Sequence, residues 1–385
     1  KHRTMIKILL LIDYSSEFDR KLLRGLVQYS KENGPWLFYR LPSYSSTMHG
    51  EQGILRWAKE WKADAIIGQW NNDTIDLQKE LNIPVVLQNY HHRSVTYSNL
   101  TGDYKGTGRM AAQFFAKRMF RNFAYFGVKG VVWSDERCEG YRQEVKRIGG
   151  EFFSFESDKQ EDEIRMEVSQ WLQQLPKPVA LFCCDDAHAL FISETCKMTN
   201  IPIPEEIALL GVDNDELMCN ISDPPISSIE LEVERGGYSI GRLIHQQIKK
   251  EHEGTFNIVI NPIRIELRQS TEKHNIKDPY ILEVVKYIDS HYSSDLTIES
   301  LLANIPLSRR NFEVKFKNAL NTSIYQYILN CRCNHLADLL LTTDRPLADL
   351  AMEVGFTDYN NIARIFKKFK GCSPIEYRQK KTRQR

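Results

Sequence analysis

Residues 355–378 of the chain read GFTDYNNIARIFKKFKGCSPIEYR, and this stretch decides the fold of the C-terminal part. Its apolar residues recur at helical spacing, from Ile362 and Ile365 to Phe366 and Phe369. Lysines and arginines stand between them, so one face of the predicted helix is apolar and another is basic. Gly355 stands in the predicted turn before the helix, at a position where a side chain would clash or φ must be positive. The stretch therefore predicts a turn followed by a basic amphipathic helix.

The same plan occurs earlier in the chain. A short helix is predicted over residues 298–304 and a turn over 305–307, and Ser308 is a suitable N-cap for a longer helix that carries Phe312 and Phe316 on one face. In the second copy the short helix covers 347–353 and the turn covers 354–357. A short helix, a tight turn and a longer basic helix form a helix-turn-helix unit, whose second helix enters the major groove of DNA. Two such units predict an all-α domain that binds duplex DNA.

The predicted DNA contacts lie at the starts and along the basic flanks of the two longer helices. Arginine and asparagine near a helix start can read the edges of guanine and adenine, and cations along the flank contact phosphates. A solvated face of an ordinary helical bundle is the alternative, and the repetition of the whole plan weakens it. The residues expected to contact DNA are Ser308, Arg309, Arg310, Asn311 and Lys315 in the first unit and Asn360, Asn361, Arg364, Lys367 and Lys368 in the second.

Residues 279–378 resemble the DNA-binding domain of AraC-type regulators, and the stretch quoted above is similar to the signature of that family. The resemblance implies two helix-turn-helix units joined by a long helix, here residues 323–342, with one recognition helix in each unit. Asn360 and Asn361 stand where the family often has Ser and an aromatic residue, which leaves the base preference of the second unit open. Ile362 replaces a common Phe.

Residues 6–268 carry a different pattern, in which short apolar runs alternate with amphipathic helices. A strand over 179–183 is followed by a helix over 187–198, for example, and a strand over 123–126 by a helix over 137–148. Apolar strands that alternate with helices predict parallel sheets covered on both faces. The length exceeds one compact sheet. The sequence therefore predicts an α/β two-lobed domain over 1–268 with two doubly wound parallel sheets, a polar linker over 269–277, and the all-α domain over 278–385.

Polar residues gather after several of the predicted strands, at 13–16, 69–72, 185–186 and 213–215. Ligands of doubly wound sheets bind beyond the carboxyl ends of the strands. Carboxylates, amides and an aromatic face suit a polyhydroxylated ligand, because each sugar hydroxyl both donates and accepts. Helix capping would explain any single aspartate. Four such loops together favour a sugar-binding cleft.

The order of these segments is similar to the sugar-binding domain of LacI-type repressors and periplasmic binding proteins. The resemblance rests on TGDYKG at 101–106, RCEGY at 137–141, CCDDA at 183–187 and the segments 207–215 and 223–229. LacI-type repressors carry their helix-turn-helix before this domain, whereas here both units follow it. The resemblance implies a periplasmic-binding-protein-like fold, with sugar contacts from Arg137, Asp185 and Asp213 and, less directly, from Asp19, Trp70 and Asp103.

A LacI-like sensor followed by an AraC-type reader is similar to a family of xylose-responsive regulators. This resemblance implies that a monosaccharide, D-xylose, is the effector and that a homodimer binds promoter half-sites and activates transcription through RNA polymerase. Another sugar, such as arabinose or a pentose-containing oligosaccharide, stays open as the effector, and so does repression instead of activation.

Other functional classes are less consistent with the sequence. No GxGxxG follows the first strand, and GxxxxGK[ST], HExxH and GxSxG do not occur, so an enzyme is not expected. A glycoside-active enzyme and a sugar-binding protein for transport stay as alternatives. The 8 cysteines form no CxxC pair, and no metal or cofactor is expected. Such scattered cysteines are typical of reduced thiols in a cytoplasmic protein. No apolar run reaches about 18 residues, so a membrane partner is not expected.

The charges are unevenly distributed along the chain. Residues 276–385 contain 17 Lys and Arg against 12 Asp and Glu, whereas the remainder contains 34 against 38. A basic C-terminal part on an acidic body indicates that DNA binds at the C-terminal end.

Overall fold

A computed structural model describes residues 5–12, 14–40, 43–70, 75–272, 276, 278–303, 305–320, 322–343, 345–356 and 359–383. The chain folds into two compact units, Lys1–Lys273 and His274–Arg385. The division falls inside the predicted linker, whose bounds at 269–277 stay a prediction. The first residues of that segment are not extended, since Gln269–Thr271 form a short 3-10 helix in which Ser270 and Thr271 are buried.

The first lobe of the N-terminal unit is built on a six-stranded sheet with helices α1 (Glu17–Asn33), α2 (Ser43–Trp61), α3 (Leu77–Leu81) and α9 (Val233–Ile248). All neighbouring strands are parallel, and their spatial order is β11-β5-β4-β3-β1-β2. In chain order these strands are β1 (Ile6–Leu11), β2 (Trp36–Arg40), β3 (Ala65–Gly68), β4 (Val85–Leu87), β5 (Ser98–Gly102) and β11 (Asn257–Ile260).

The second lobe repeats the architecture with strand order β12-β10-β9-β8-β6-β7. Its strands are β6 (Asn122–Val128), β7 (Glu151–Ser157), β8 (Val179–Cys183), β9 (Ile207–Val212), β10 (Ser227–Leu231) and β12 (Pro262–Glu266). Its helices are α4 (Tyr104–Lys117), α5 (Val132–Arg147), α6 (Glu161–Gln174), α7 (Asp186–Met198) and α8 (Glu216–Ile221).

The two parallel-sheet lobes confirm the predicted fold class, and one strand departs from it. The edge strand β12 pairs antiparallel with β10. Only Asn261 separates β11 in the first sheet from β12 in the second. Strand β11 runs parallel to its sheet, so the chain leaves the first lobe at the carboxyl edge of that sheet and enters the second lobe directly. If β12 therefore starts at the edge where the parallel strands of the second sheet end, it must run opposite to them, as its antiparallel pairing with β10 shows.

The chain passes between the lobes at three short connections, after β5, after β10 and after β11. After β5, helix α4 packs on α5 of the second lobe, and after β10, helix α9 packs on α1 of the first. Strands β8 and β9 are buried along their whole length, as their apolar sequences predict. The connected lobes place the carboxyl ends of both sheets toward a shared cleft.

Helix α5 begins at Val132, earlier than the predicted start at 137. Its N-cap, Val131, makes no side-chain capping bond, so no capping residue marks this start in the sequence. Strand β2, helix α2 and the short helix α8 were not predicted from the sequence. The consequence for the site is that Arg137 lies in the second turn of a helix and not at its start.

The described part of the C-terminal unit is entirely helical, which confirms the predicted all-α domain. Helix α13 (Ile324–Thr342) runs between two helix pairs, and the helices are α10 (Pro279–His291), α11 (Ile298–Leu302), α12 (Arg309–Leu320), α14 (Leu347–Glu353), α15 (Tyr359–Lys370) and α16 (Pro374–Arg383).

Aromatic side chains fill the core of both pairs. Phe312 and Phe316 are fully buried on α12, and Phe366 is fully buried on α15. Gly355 has φ +92°, and a Cβ at this position would lie 2.7 Å from the carbonyl oxygen of Ser293. The predicted turn glycine is therefore required both by its backbone conformation and by the close approach of another segment. None of the helices in the described residues combines the length and apolar character that a membrane span requires.

Candidate ligand cleft and DNA-binding surface

Three of the predicted ligand contacts meet at the carboxyl edge of the second sheet. Asp185 follows β8 and Asp213 follows β9, and these strands are neighbours in the sheet. Arg137 comes from α5, which follows the next strand of the sheet, β6. Nη2 of Arg137 lies 3.8 Å from Oδ1 of Asp213. The topology therefore brings together residues that are far apart in the sequence.

Arg137 is held in a fixed position at this edge. Its side chain is only 4% exposed, and Nη1 donates a hydrogen bond of 2.5 Å to the carbonyl oxygen of Cys184. The guanidinium carbon lies 5.5 Å from the ring centroids of both Tyr104 and Trp133. Nε is buried and has no hydrogen-bond partner among the described residues. Because an unsatisfied buried donor is unfavourable by about 1–3 kcal/mol, this N–H is suited to a ligand oxygen.

Asp213 combines an unusual backbone with a buried carboxylate. Its φ is +98°, in a region that non-glycine residues rarely adopt and that is concentrated at functional sites. Burial raises the pKa of the Asp213 carboxyl to about 6, and the charge of Arg137 opposes this rise. Oδ1 is buried and accepts no hydrogen bond within the described structure. A hydroxyl group from a ligand would satisfy it.

Asp185 forms a close pair with His188 at the start of α7. Its Oδ1 accepts hydrogen bonds from the backbone N–H of His188 at 2.8 Å and from Nδ1 at 2.7 Å. Burial favours the neutral acid, but the charge and hydrogen bonds of His188 outweigh it and lower the pKa of Asp185. Burial alone would lower the pKa of His188, whereas Cys184 and Asp185 raise it well above its ordinary value. Both shifts favour the charged forms of the pair, the aspartate and the imidazolium.

Cys184, Asp185 and His188 are also the residues that could hold a metal ion. One donor atom from each lies within 4.8 Å of the others. The chemistry of these residues does not favour a cation. Burial raises the pKa of the Cys184 thiol, which disfavours the thiolate that a metal ion would bind, and the positively charged guanidinium of Arg137 is hydrogen-bonded to the carbonyl oxygen of the same residue. Oδ1 of Asp185 is already engaged by His188. The arrangement fits a hydrogen-bonded trio better than a metal site.

Asp186, which the sequence pairs with Asp185, has a supporting position behind the cleft. It is buried and accepts hydrogen bonds from the Ser228 hydroxyl at 2.6 Å and the Asp215 backbone N–H at 2.7 Å. Burial raises the pKa of Asp186 well above its usual range, and the nearby Asp213 adds to the rise. Asp186 thereby joins the segments that follow β8 and β9 to strand β10.

The structure gives Trp70 and Asp103 structural contacts. Oδ1 of Asp103 caps α4 by accepting from the N–H of Gly106 at 2.8 Å. Trp70 is buried in the core of the first lobe, and its indole N–H donates to the carbonyl of Ile75 at 3.3 Å. Their predicted role in ligand binding stays a prediction. Asp13 and Asn71–Asn72, which the sequence analysis placed in strand-end loops, lie outside the described residues.

Asp19 lies on the first turn of α1 and is 1% exposed. Its charge reaches the neighbouring Tyr14: burial raises the pKa of Tyr14 to about 12, Arg40 opposes the rise, and Asp19 adds to it. Asp19 and Tyr14 are therefore neighbouring polar side chains of the first lobe. Its contact with a ligand stays a prediction.

The aromatic side chains against Arg137, and an ion pair close to Tyr104, were not predicted from the sequence. Trp133 and Tyr104 flank its guanidinium, and Arg93 forms two hydrogen bonds with Glu136, of 2.6 and 2.8 Å. The spacing from Trp133 to Arg137 is i, i+4, which places both on one helix face. The spacing could have indicated this contact only if the start of α5 at Val132 had been predicted.

The lobes touch beside the cleft. Arg20 of α1 lies 3.3 Å from Oδ2 of Asp215, and Nζ of Lys21 donates to the carbonyl oxygen of Asp213 at 2.6 Å. An open pocket of about 900 Å³ lies between α1 and the segment that follows β9. The first lobe thus contacts the same loop of the second lobe that carries Asp213.

Four of the predicted DNA contacts of the first helix-turn-helix unit lie at the start of α12, and the fifth, Lys315, lies further along the helix. Ser308 caps the start of α12 through the N–H of Asn311 at 3.4 Å, and the side chains of Arg309, Arg310 and Asn311 are exposed. Arg309 pairs with Glu299 at 2.8 Å and with Glu313 at 3.1 Å.

Lys315 has a different environment, since it binds Asp278, the N-cap of α10, at 2.7 Å. Its contact joins α12 to α10. Arg310 and Asn311 therefore offer the clearest exposed polar groups of this unit, and a direct DNA contact of Lys315 stays a prediction.

The second unit presents a row of cations on α15. Arg364, Lys367 and Lys368 are exposed, and Asn361 is half-buried. Lys368 donates to Oε1 of Gln326 on α13 at 2.8 Å. The side chain of Asn360 lies outside the described part of the chain. The basic face predicted from the sequence is thus present on the longer helix of this unit.

Comparisons with known proteins agree with this division of the chain. A family of periplasmic binding protein-like domains matches residues 112–271, and a family of helix-turn-helix domains matches residues 301–380. The xylose operon regulatory protein of Escherichia coli (strain K12) is 24% identical over 97% of this chain and 96% of its own length. The chain is a helix-turn-helix transcription regulator. The relatives of this regulator are themselves transcription regulators and not enzymes.

Further relatives extend the comparison. The xylose operon regulatory protein of Haemophilus influenzae is 23% identical over 97% of this regulator and 98% of its own length. The structure of the xylose-binding transcription activator xylR has a TM-score of 0.60 at 22% identity and covers 97% of both chains. The transcriptional regulator CelR in complex with cellobiose has a TM-score of 0.58 at 20% identity and covers 70% of this regulator and 85% of its own chain. These structural likenesses support the fold of the regulator.

Proposed function

We propose that this regulator binds a monosaccharide between the lobes of its N-terminal unit and, in the sugar-bound form, activates transcription from DNA sites bound by its C-terminal unit. The observation that carries the proposal is the Arg137–Asp213 pair, which presents a buried donor and a buried acceptor at the carboxyl edge of the second sheet. Adjacent sugar hydroxyls both donate and accept, so they match such a pair.

D-xylose is the effector that we propose. The full-length relatives are named as xylose operon regulators, and the alignments span both domains. The cleft residues suit a small neutral ligand: Arg137 and Asp213 oppose each other in charge, and Trp133 and Tyr104 add aromatic faces beside them. Arabinose or another pentose would use the same groups, and direct measurement distinguishes them.

Binding controls the protein through the relative position of the lobes. A sugar that contacts both lobes favours the closed form by its differential affinity for that form. Asp19 and Tyr14 supply polar groups from the first lobe, and Arg137, Asp185 and Asp213 supply them from the second. Closure then changes how two C-terminal units of a homodimer engage adjacent half-sites, where RNA polymerase is recruited.

On the DNA side, Arg310 and Asn311 of α12 and Asn361 and Arg364 of α15 are proposed to read base edges. Lys367 and Lys368 are proposed to contact phosphates, which supply most of the affinity. Arg309 is held by two glutamates in the free protein, so its contact with DNA requires that it exchange these partners.

Titration calorimetry with a panel of pentoses and hexoses, followed by DNA binding with and without the sugar that binds, tests the proposal. We expect D-xylose to bind more tightly than arabinose, ribose and glucose and to raise the affinity for duplex DNA. Binding of none of these sugars, or a sugar that leaves DNA affinity unchanged, would contradict it.

A further inference from the structure

The dipeptide Asp213-Asn214 is contacted from three sides. Both residues have positive φ, +98° and +49°, so the backbone is held in a conformation that non-glycine residues adopt only when their surroundings impose it. The first side is the cleft, where Arg137 faces the Asp213 carboxylate. The other two sides are the first lobe and the segment through which the chain leaves the N-terminal unit.

The first lobe reaches the dipeptide through Lys21 of α1. Its Nζ donates to the carbonyl oxygen of Asp213 at 2.6 Å and lies 3.4 Å from that of Asn214. Within the second lobe, the Asn214 N–H donates to the Ser228 hydroxyl of β10 at 3.0 Å. The dipeptide is therefore held between the two lobes, and a movement of α1 changes its hydrogen bonds.

The third contact comes from the segment through which the chain leaves the N-terminal unit. Nη2 of Arg268 donates to Oδ1 of Asn214 at 2.8 Å, and Nη1 donates to the carbonyl of Ile226 at 2.9 Å. Arg268 directly precedes the short 3-10 helix Gln269–Thr271.

That short helix is itself tied to the second sheet. The Ser270 hydroxyl donates to the carbonyl of Leu209 in β9 at 2.6 Å, and the hydroxyls of Ser227 and Thr271 lie 2.6 Å apart. The chain continues from here into the DNA-binding unit. The position of this exit segment is thus tied to the two strands that carry the contacts of the dipeptide.

We propose that Lys21, Asn214 and Arg268 are positioning residues that transmit sugar binding to the exit segment and from there to the DNA-binding unit. Sugar bound to Asp213 fixes the first residue of the dipeptide, Lys21 makes its conformation depend on the position of the first lobe, and Asn214 passes that conformation to Arg268. This inference rests on the proposed function, because it presumes that sugar binding and DNA binding are coupled.

The alternative is a structural role, in which the same contacts only stabilise the second lobe. The two roles differ in what a substitution changes. Loss of a structural contact lowers the melting temperature and leaves the coupling between the ligands intact. Loss of a transmitting contact leaves both ligands able to bind and removes the effect of one on the other.

The test measures the coupling factor of the full-length protein, which is the ratio of its Kd for D-xylose without and with saturating duplex DNA selected from a randomised pool. Thermodynamic linkage requires the same factor for DNA affinity with and without sugar, and typical factors are about 5–150. In Asn214→Gly the positive φ is tolerated and the Oδ1 acceptor is lost, so we expect a factor near one. Asn214→Asp retains an acceptor oxygen for Arg268, so we expect this variant to keep the coupling factor of the wild type.

Lys21→Met provides a second, independent variant, since it changes only a partly exposed side chain on a helix surface. Lys31→Met at the other end of α1 is its matched control. We expect Lys21→Met to reduce the coupling factor at least about fivefold and Lys31→Met to leave it unchanged.

Asn214→Gly and Lys21→Met proteins that keep the wild-type coupling factor would overturn this inference alone. A coupling factor of one in the wild-type protein, despite binding of both ligands, would overturn the proposed function and this inference together.

Discussion

Nη2 of Arg137 lies 3.8 Å from Oδ1 of Asp213 at the carboxyl edge of the second sheet. Nε of Arg137 and Oδ1 of Asp213 are both buried, and neither makes a hydrogen bond within the described residues. A pair whose only role was structural would be expected to satisfy these atoms, because buried polar groups are almost always hydrogen-bonded. The geometry instead leaves one donor and one acceptor for a third group. This property makes the pair the centre of the proposed sugar site.

Asp213→Asn should weaken D-xylose binding at least about tenfold, because a charge-assisted hydrogen bond contributes roughly 1.5–3 kcal/mol. The substitution preserves size and removes the negative charge, and calorimetry measures the change. Asp223→Asn on the same lobe is the control, since Asp223 is exposed and pairs with Lys197. Equal sugar affinity in the Asp213 variant and the wild type would place the ligand elsewhere.

The pH dependence of sugar binding should report the raised pKa of Asp213, about 6. The carboxylate is the expected acceptor, so affinity should fall by about tenfold between pH 7 and pH 5 as the group becomes protonated. The nearby His188 has its pKa raised, which favours the charged imidazolium, so Asp213 is the group expected to dominate the profile. Asn at position 213 should remove the dependence, and a pH profile that is the same in both proteins would contradict the assignment.

The same raised pKa has the opposite effect on folding. Because the folded-state pKa of Asp213 lies above the unfolded value of 3.8, its contribution to stability is present below pH 3.8 and is lost as the pH rises through about 6. Relative to the wild type, Asp213→Asn should therefore gain melting temperature between pH 5 and pH 7 in the absence of sugar. Thermal melts of the two proteins across this range measure the difference, and a constant difference would show that Asp213 is not titrating there.

The fragment His274–Arg385 should bind duplex DNA without sugar, because it forms a compact unit and contains both helix-turn-helix pairs. Its affinity should fall steeply with salt, since lysine and arginine displace counterions from phosphates. Anisotropy titrations at several salt concentrations test this. A fragment that is folded by circular dichroism and binds no DNA would refute the assignment of the DNA-binding surface.

Two substitutions separate base reading from phosphate contact in the proposed interface. Arg310→Ala should relax the base preference in one part of the site and weaken binding to the best site by about 1–3 kcal/mol. Lys367→Ala should weaken all sequences alike and reduce the slope of log affinity against log salt by about one. Selection from a randomised pool distinguishes the two, and identical selected sites for both variants would mean that another face enters the groove.

Gly355→Ala should destabilise the C-terminal unit more than Gly371→Ala does. Both glycines have positive φ, +92° and +78°, so each substitution introduces backbone strain of about 1–2 kcal/mol. Only at Gly355 would the new Cβ also lie 2.7 Å from a carbonyl oxygen, whereas Gly371 has open space around it. Equal melting temperatures of the two variants would show that the contact with Ser293 can relax.

The sequence by itself determined the two classes of structure and much of their local detail. Buried strands such as β8 follow from continuous apolar runs, and α12 and α15 follow from apolar residues at helical spacing with basic residues between them. A turn glycine at position 355 also follows from its place directly after a short helix, where a positive φ is common. These features depend on residues that are neighbours in the chain, and a pattern over one segment is enough to predict them.

The tertiary structure decided which polar residues meet. Arg137 faces Asp213 because strands β6, β8 and β9 are neighbours in the second sheet, and no local pattern states that order. Contacts between distant segments also pair Lys315 with Asp278 and place Arg268 beside Asn214. Asp103 is a different case, since it caps its own helix and its contact with a ligand stays a prediction. A side chain's type and spacing limit what it can contact, but the contact it makes depends on segments that the fold brings to it from elsewhere in the chain.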